Sequence, residues 1–342
     1  MANQRGFNLI DLLIGVAISL IGLLAVATVL IDFNKQRNTT TQTLEAQNNG
    51  TMALYLLERD LTPSGYGLMS IQDCTAINWY YAGGVRTPLT TLPVKITDGG
   101  ASSDSVEIQY GVSNTGVPSV LSTQAQTFFG DPISVASIVG FNAGDVIVAD
   151  AGSTGGTCEI FQVSGVNTVA RTISLATGAG YPYNATSQPA GWTLVQPNNV
   201  IVNLGNFTGK RYSVATGNLQ VGAFPSYATT TLVDGIVFMK AQYGLDTDLN
   251  GTVDNWVSGA TAIDNTTAKQ VIAIRVGIVA RSPLYEKNAV DAPTVLCVLP
   301  DTTTGTCPAS STSKAEYTVP DAHYRYKVYY TIIPLRNAIW GQ

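Results

Sequence analysis

The sequence predicts an α+β protein: a long N-terminal α-helical spine, transmembrane in its first half, packed on a β-rich globular head of antiparallel sheets. Three observations predict it. An unbroken apolar run extends from Phe7 to Ile31, about 25 residues, which is enough to cross a bilayer with some tilt. The helical pattern then continues in polar form to Asp60 and is stopped by Pro63 and Gly65. Beyond Gly65 the chain breaks into short alternating segments separated by Gly- and Thr-rich turns, which is β-sheet text.

The start comes first. Met1 to Gly6 is a short polar leader, and the apolar run behind it contains one charge, Asp11. A carboxylate in lipid costs at least about 2.5 kcal/mol, so Asp11 needs a partner. A cleaved secretory signal would place a small-residue site after a shorter apolar region. A plain single-pass anchor would leave Asp11 an incidental interfacial charge. The string Gly6-Phe7-Asn8-Leu9-Ile10-Asp11 resembles a class III prepilin signal. That resemblance implies cleavage between Gly6 and Phe7 by a prepilin peptidase, N-methylation of Phe7, and retention of the helix for assembly. It also gives Asp11 a role: in that family a carboxylate at this place pairs with the free α-amine of Phe7, on the same or a neighbouring subunit. Two lone charges in an apolar core are unfavourable and a pair is tolerable. The family usually has Glu there, and Asp reaches one methylene less far.

Residues 32–62 are expected as the amphipathic continuation, with Leu44, Met52, Tyr55, Leu56 and Leu57 on the face that packs against a sheet. Residues 63–230 form a variable β-rich region. Its expected strands are Val106–Tyr110, Asp145–Ala149, Cys158–Ser164, Val166–Leu175, Asn199–Leu204, and a hairpin of Arg211–Ala215 with Leu219–Val221. Residues 231–342 form a β-rich C-terminal region in which Thr231–Tyr243, Gln270–Arg281 and Arg325–Asn337 read as strands.

Only 12% of residues are charged and the net charge is −5. A phosphate-binding surface shows as clustered Lys and Arg, and no such cluster is present, so no nucleic acid partner is expected. The four cysteines include no C-x-x-C pair. In an exported head two disulfides are the default, with three possible pairings. Cys297 and Cys307 close a short loop holding Pro300 and Gly305, which leaves Cys74 with Cys158.

One loop carries metal chemistry. Asp246-Thr247-Asp248-Leu249-Asn250-Gly251-Thr252-Val253-Asp254 has the D-x-D-x-N-G-x-x-D spacing. Alternate side chains of a tight loop converge, so Asp246, Asp248 and Asn250 supply oxygens, Thr252 its carbonyl, and Asp254 closes the set. Hard oxygen donors suit Ca²⁺. The bidentate Glu expected at position twelve is replaced by Val257, so a further ligand such as Asp264, a carbonyl or water is required. Affinity on the order of 10⁻⁴–10⁻³ M, or somewhat tighter, is expected for such a site. The bland alternative is a metal-free Asp/Asn/Gly turn.

Further features sharpen the resemblance. Leu57-Glu58-Arg59-Asp60-Leu61 with Gly65-Tyr66, the strand entering Tyr243-Gly244-Leu245-Asp246, the segment Ala273-Ile274-Arg275-Val276, and Tyr324-Arg325-Tyr326 with Leu335-Arg336-Asn337 resemble the PilW family of minor type IV pilins. That family is related to the J-type minor pseudopilin of type II secretion. The likeness covers the two ends and leaves the middle unmatched. It implies a minor pilin that primes filament assembly at or near the tip. Its implied partners are other minor pilins, the major pilin, the prepilin peptidase, the inner-membrane assembly platform and a PilY-type tip adhesin. Its implied location is the inner membrane and then the filament, with the head periplasmic or extracellular. A J-like pseudopilin and a calcium-dependent adhesin module are the alternatives. No enzyme is expected: there is one histidine, His323, and no G-x-S-x-G, P-loop, G-x-G-x-x-G or paired-acid constellation.

Overall fold

The structure, a computed structural model, describes residues 9–68, 74–86, 89–90, 92–112, 116, 119–150, 156–263, 265–290, 292–300, 307 and 315–339. One helix, Leu9–Leu61, runs through 53 residues, about 80 Å at the standard rise. From Leu9 to Phe33 its large apolar side chains are exposed. The threonine run that follows is a poor helix former by propensity. It is accommodated because Thr39, Thr40, Thr41 and Thr43 each donate a hydroxyl to the carbonyl four residues back, at 2.9–3.0 Å.

The face of the helix that meets the head matches the expected one at Leu56 and Leu57, which pack into the core, and differs elsewhere. Leu44, Met52 and Tyr55 are exposed, whereas Gln42, Ala46, Gly50, Ala53, Leu57, Asp60 and Leu61 are buried. Small residues at Ala46, Gly50 and Ala53 let the helix backbone approach the sheet, and a larger apolar set would hold it off. The helix ends at the expected place. Gly65, at φ 86°, turns the chain back, and its N–H donates to the Gln109 carbonyl at 2.9 Å. Asn337 then donates its side-chain amide to the carbonyls of Pro63 and Ser64 at 3.0 and 3.3 Å, which ties the turn after the helix to the C-terminal segment.

Under the helix lies a four-stranded antiparallel sheet ordered Asn255–Ser258, Ile236–Leu245, Val271–Arg281, Tyr326–Pro334. Val271–Arg281 is buried over all but its last residue. Ile274, Val276 and Ile278 enter the main core with Leu57 and Leu61. Val279 packs on Val298 across the other side. Burial on two faces explains the nearly continuous apolar text of this strand.

A second sheet, ordered Thr229–Asp234, Asn218–Ala223, Thr208–Ala215, Ser105–Tyr110, Val94–Thr97, shares that core through Val106, Ile108, Tyr212 and Leu219. Buried Lys240 ties the two sheets, its Nζ donating to Asp104 at 2.7 Å and to the Gly100 carbonyl at 2.7 Å. The hairpin expected at Thr216-Gly217 is present, with both residues at positive φ, 51° and 76°. Such a pair matches the twist of its strands.

Two expected strands are corrected. Thr231–Tyr243 is two strands in two sheets, Thr229–Asp234 and Ile236–Leu245, because Gly235 at φ 75° breaks the extended run. Val166–Leu175 is the hairpin Gly165–Asn167 with Thr172–Ser174, turned where Arg171 takes φ 53°.

The rest of the middle region builds its own cores. A five-stranded sheet, ordered Ala76–Asn78, Thr157–Gln162, Val146–Asp150, Val200–Gly205, Ser119–Leu121, buries Ile77, Val148, Ile160 and Leu204 on one cluster. It buries Ile147, Phe161 and Ile201 on another. The 230/231 boundary drawn from sequence falls inside the strand Thr229–Asp234.

Candidate functional site

The N-terminal site lies at the edge of what is described. Gly6 and Phe7 fall outside the described residues, and Asp11 is placed as a helical backbone position only. What the structure adds is its setting: the helix around Asp11 exposes Leu9, Ile10, Leu12, Leu13 and Ile14 to the surroundings. A helical segment apolar enough by length and composition to cross a membrane thus runs without interruption into the helix half buried in the head.

The acidic loop joins the strands Ile236–Leu245 and Asn255–Ser258. The N–H of Asp254 donates to the Leu245 carbonyl, and that of Asp246 to the Gln270 carbonyl, both at 2.8 Å. Between these anchors Leu249 and Gly251 take positive φ, 60° and 86°. The turn brings one carboxylate oxygen from each of Asp246, Asp248 and Asp254 within 4.8 Å of the others.

Asp246 is fully buried, and its two oxygens accept the N–H groups of Asn250 and Gly251 at 3.0 and 2.7 Å. Asp248 and Asp254 are exposed. Asp254 accepts the hydroxyl and the N–H of Thr247, both at 2.7 Å. Those bonds hold its carboxyl below the usual range. The side-chain oxygen of Asn250 accepts the N–H of Thr252 at 2.8 Å.

Val257 stands at position twelve in the strand opposite Tyr243 and packs on the main core, which leaves no carboxylate there. Asp264 lies outside the described residues. The donor set present is therefore three carboxylates and one side-chain amide, which is hard-oxygen chemistry of the kind that takes Ca²⁺.

The two pairs of cysteines are closed as Cys74–Cys158 and Cys297–Cys307. The first joins the start of the middle unit to its central strands. The second holds the loop that covers Val279 through Val298.

A further site was not legible in sequence. Asp60, in the last helical turn, is buried and accepts hydrogen bonds from Arg59 Nε at 2.9 Å, from Lys210 Nζ and from the Tyr212 hydroxyl. Burial pushes its carboxyl up, and the bonds from Arg59, Lys210 and Tyr212 outweigh this and hold it below the usual range. The helix is thus locked to the second sheet by one ion. Lys210 and Tyr212 are some 150 residues away in sequence, and no local signal connects them to Asp60.

Residues 211–337 match the family model described as type IV pilus-assembly protein W. Among solved structures the chain is similar to a type IV-like pilin from Thermus thermophilus, at 11% identity and a TM-score of 0.36, over 85% of this chain and 96% of that one. No curated protein matches the chain.

Proposed function

We propose that the chain is a minor pilin of the type IV pilus-assembly protein W family, whose model residues 211–337 match, and that it primes filament assembly and sits at or near the tip. The observation that carries this proposal is the division of labour along one helix. Leu9 to Phe33 is apolar and exposed, while Gln42 to Leu61 is clamped into the head. An apolar rod of this length has to be covered, by lipid before assembly and by the rods of other pilus subunits afterwards.

In this proposal a prepilin peptidase cuts between Gly6 and Phe7, and Phe7 is N-methylated. The α-amine of Phe7 then neutralises Asp11, which makes insertion into a bundle of apolar helices tolerable. The chain waits in the inner membrane as a single-pass protein on the assembly platform. It then joins the major pilin and the other minor pilins, with a PilY-type adhesin as a further tip partner. The acidic loop supports a second element of the proposal. Asp246, Asp248, Asn250 and Asp254 would hold Ca²⁺ with the Thr252 carbonyl and water, and the cation would relieve the repulsion of three close carboxylates.

Deletion of the gene, with surface pili counted and the mature N-terminus read by mass spectrometry, tests this function. Loss of pili with Phe7 as the first residue supports it. Pili present but non-adherent would assign the adhesin role, and loss of secreted proteins with intact pili would assign the chain to a type II secretion pseudopilus. Retention of residues 1–6 in assembled fibres would overturn the filament proposal.

A further inference from the structure

Between the middle unit and the second sheet lies a cleft of about 480 Å³, within the range of small-ligand sites. Its inner wall is aromatic. Trp79 is buried against Phe224, with ring centroids 4.5 Å apart. Tyr81 and Tyr227 stand half-buried beside it.

Among the described residues its rim is cationic, with Arg86, Lys95 and Arg211 against a single acid, Glu107. That acid is already engaged. One oxygen accepts the Tyr227 hydroxyl at 2.7 Å, and the other accepts Arg211 Nη2 and Nε at 2.8 and 3.1 Å. Arg211 also lies 4.4 Å over the Tyr227 ring, which fixes both groups as a rigid wall. Arg86 is tethered at the rim by donating to the Tyr81 carbonyl at 3.0 Å. Lys95 makes no ion pair among the described residues. Two exposed cations thus face the cleft of a protein whose net charge is −5, so the positive potential is local to this site.

We propose that this cleft binds an acidic saccharide. Flat rings offer apolar walls to the C–H face of a pyranose, and Arg86 and Lys95 offer charge-assisted hydrogen bonds to its carboxylate. The exposed Ser226 and half-buried Thr90 at the same cleft place hydroxyls at the mouth, in reach of the chemistry a polyhydroxylated ligand requires. A purely apolar ligand would leave these groups unmet. The inference rests on the cleft alone and is independent of the filament proposal.

The test titrates the full chain, solubilised in detergent, with digalacturonate, followed by tryptophan fluorescence and calorimetry. Saturable binding is expected, with no binding of the neutral disaccharide lactose. The double variant R86A/K95A changes only exposed side chains and should melt as wild type does. It should bind roughly tenfold more weakly or worse. Tyr81→Ala, with folding checked by near-ultraviolet circular dichroism, should also weaken binding. Absence of saturable binding, equal binding of lactose, unchanged affinity in R86A/K95A, or full competition by sulfate at equal concentration would each overturn the assignment.

Discussion

The ring of Tyr329, on the edge strand Tyr326–Pro334, occupies the space that a Cβ at Gly50 would need. Helix and sheet meet here with no side chain on the helix side, which is why the packed face of the helix is its small-residue face. Gly50→Ala should therefore destabilise the head by about 1–3 kcal/mol through overpacking, although Ala is the better helix former. A melting temperature equal to wild type would show that the ring moves freely aside. Adding Tyr329→Ala should recover part of the loss in a double-mutant cycle. Tyr329→Phe should be neutral or mildly stabilising, because the buried Tyr329 hydroxyl has no partner among the described residues.

Asp60 sets an acid limit on the same joint. Its folded carboxyl lies below the usual range, so its contribution is present above the unfolded value near 3.8 and is lost as pH falls through the folded one. Asp60→Asn removes the charge facing Lys210 and should cost about 3 kcal/mol, as breaking a buried pair does. Urea titrations at neutral pH measure this. The same variant should lose less additional stability than wild type when pH is lowered below 4.

Glu159 works in the opposite sense. Burial pushes its carboxyl up to about 7, against the bonds it accepts from Thr193. Its folded value exceeds its unfolded one, so the folded state holds the proton more tightly. Stability of the middle unit should fall as pH rises from about 4.5 to about 7 and then level off. The span amounts to about 3 kcal/mol. Glu159→Gln keeps an acceptor for Thr193 and should flatten that slope. Trp192, buried beside Thr193, provides the fluorescence signal.

The acidic loop calls for a variant other than its first aspartate. Asp246 is buried and accepts two loop N–H groups, so Asp246→Ala should destabilise the loop with or without a cation. Asp248 is exposed and accepts the N–H and side-chain amide of Asn250 at 3.3 and 2.9 Å, so Asp248→Asn, which keeps an acceptor and removes the charge, isolates the metal. With Ca²⁺ at about a hundred times its dissociation constant, wild type should gain about 2.7 kcal/mol. Asp248→Asn should gain much less, and the two should melt alike in EGTA. Identical wild-type melting in Ca²⁺ and EGTA would remove the metal.

The disulfides carry different weights. The Cys74–Cys158 bridge spans 84 residues and the Cys297–Cys307 bridge spans 10. By loop-closure entropy they stabilise by about 4.5 and about 2.7 kcal/mol. Cys74→Ser with Cys158→Ser should therefore lower the unfolding free energy more than the other double variant, as read by chemical denaturation under non-reducing conditions.

Local text determined a great deal of this protein. The apolar run, the stop at Pro63 and Gly65, the hairpin at Thr216-Gly217 and the nine-residue acidic loop all depend on neighbours in sequence, where periodicity and turn chemistry act directly. Tertiary structure alone decided which helix face is buried. Leu44, Met52 and Tyr55 carry the apolar signal, but close approach to a sheet requires the small residues Ala46, Gly50 and Ala53. Tertiary structure likewise brought Lys210 and Tyr212 to Asp60, and Arg86 and Lys95 to the rim of one aromatic cleft. Those meetings depend on chain segments that are distant in sequence and are brought together only by sheet pairing and core burial, and no short-range pattern records them.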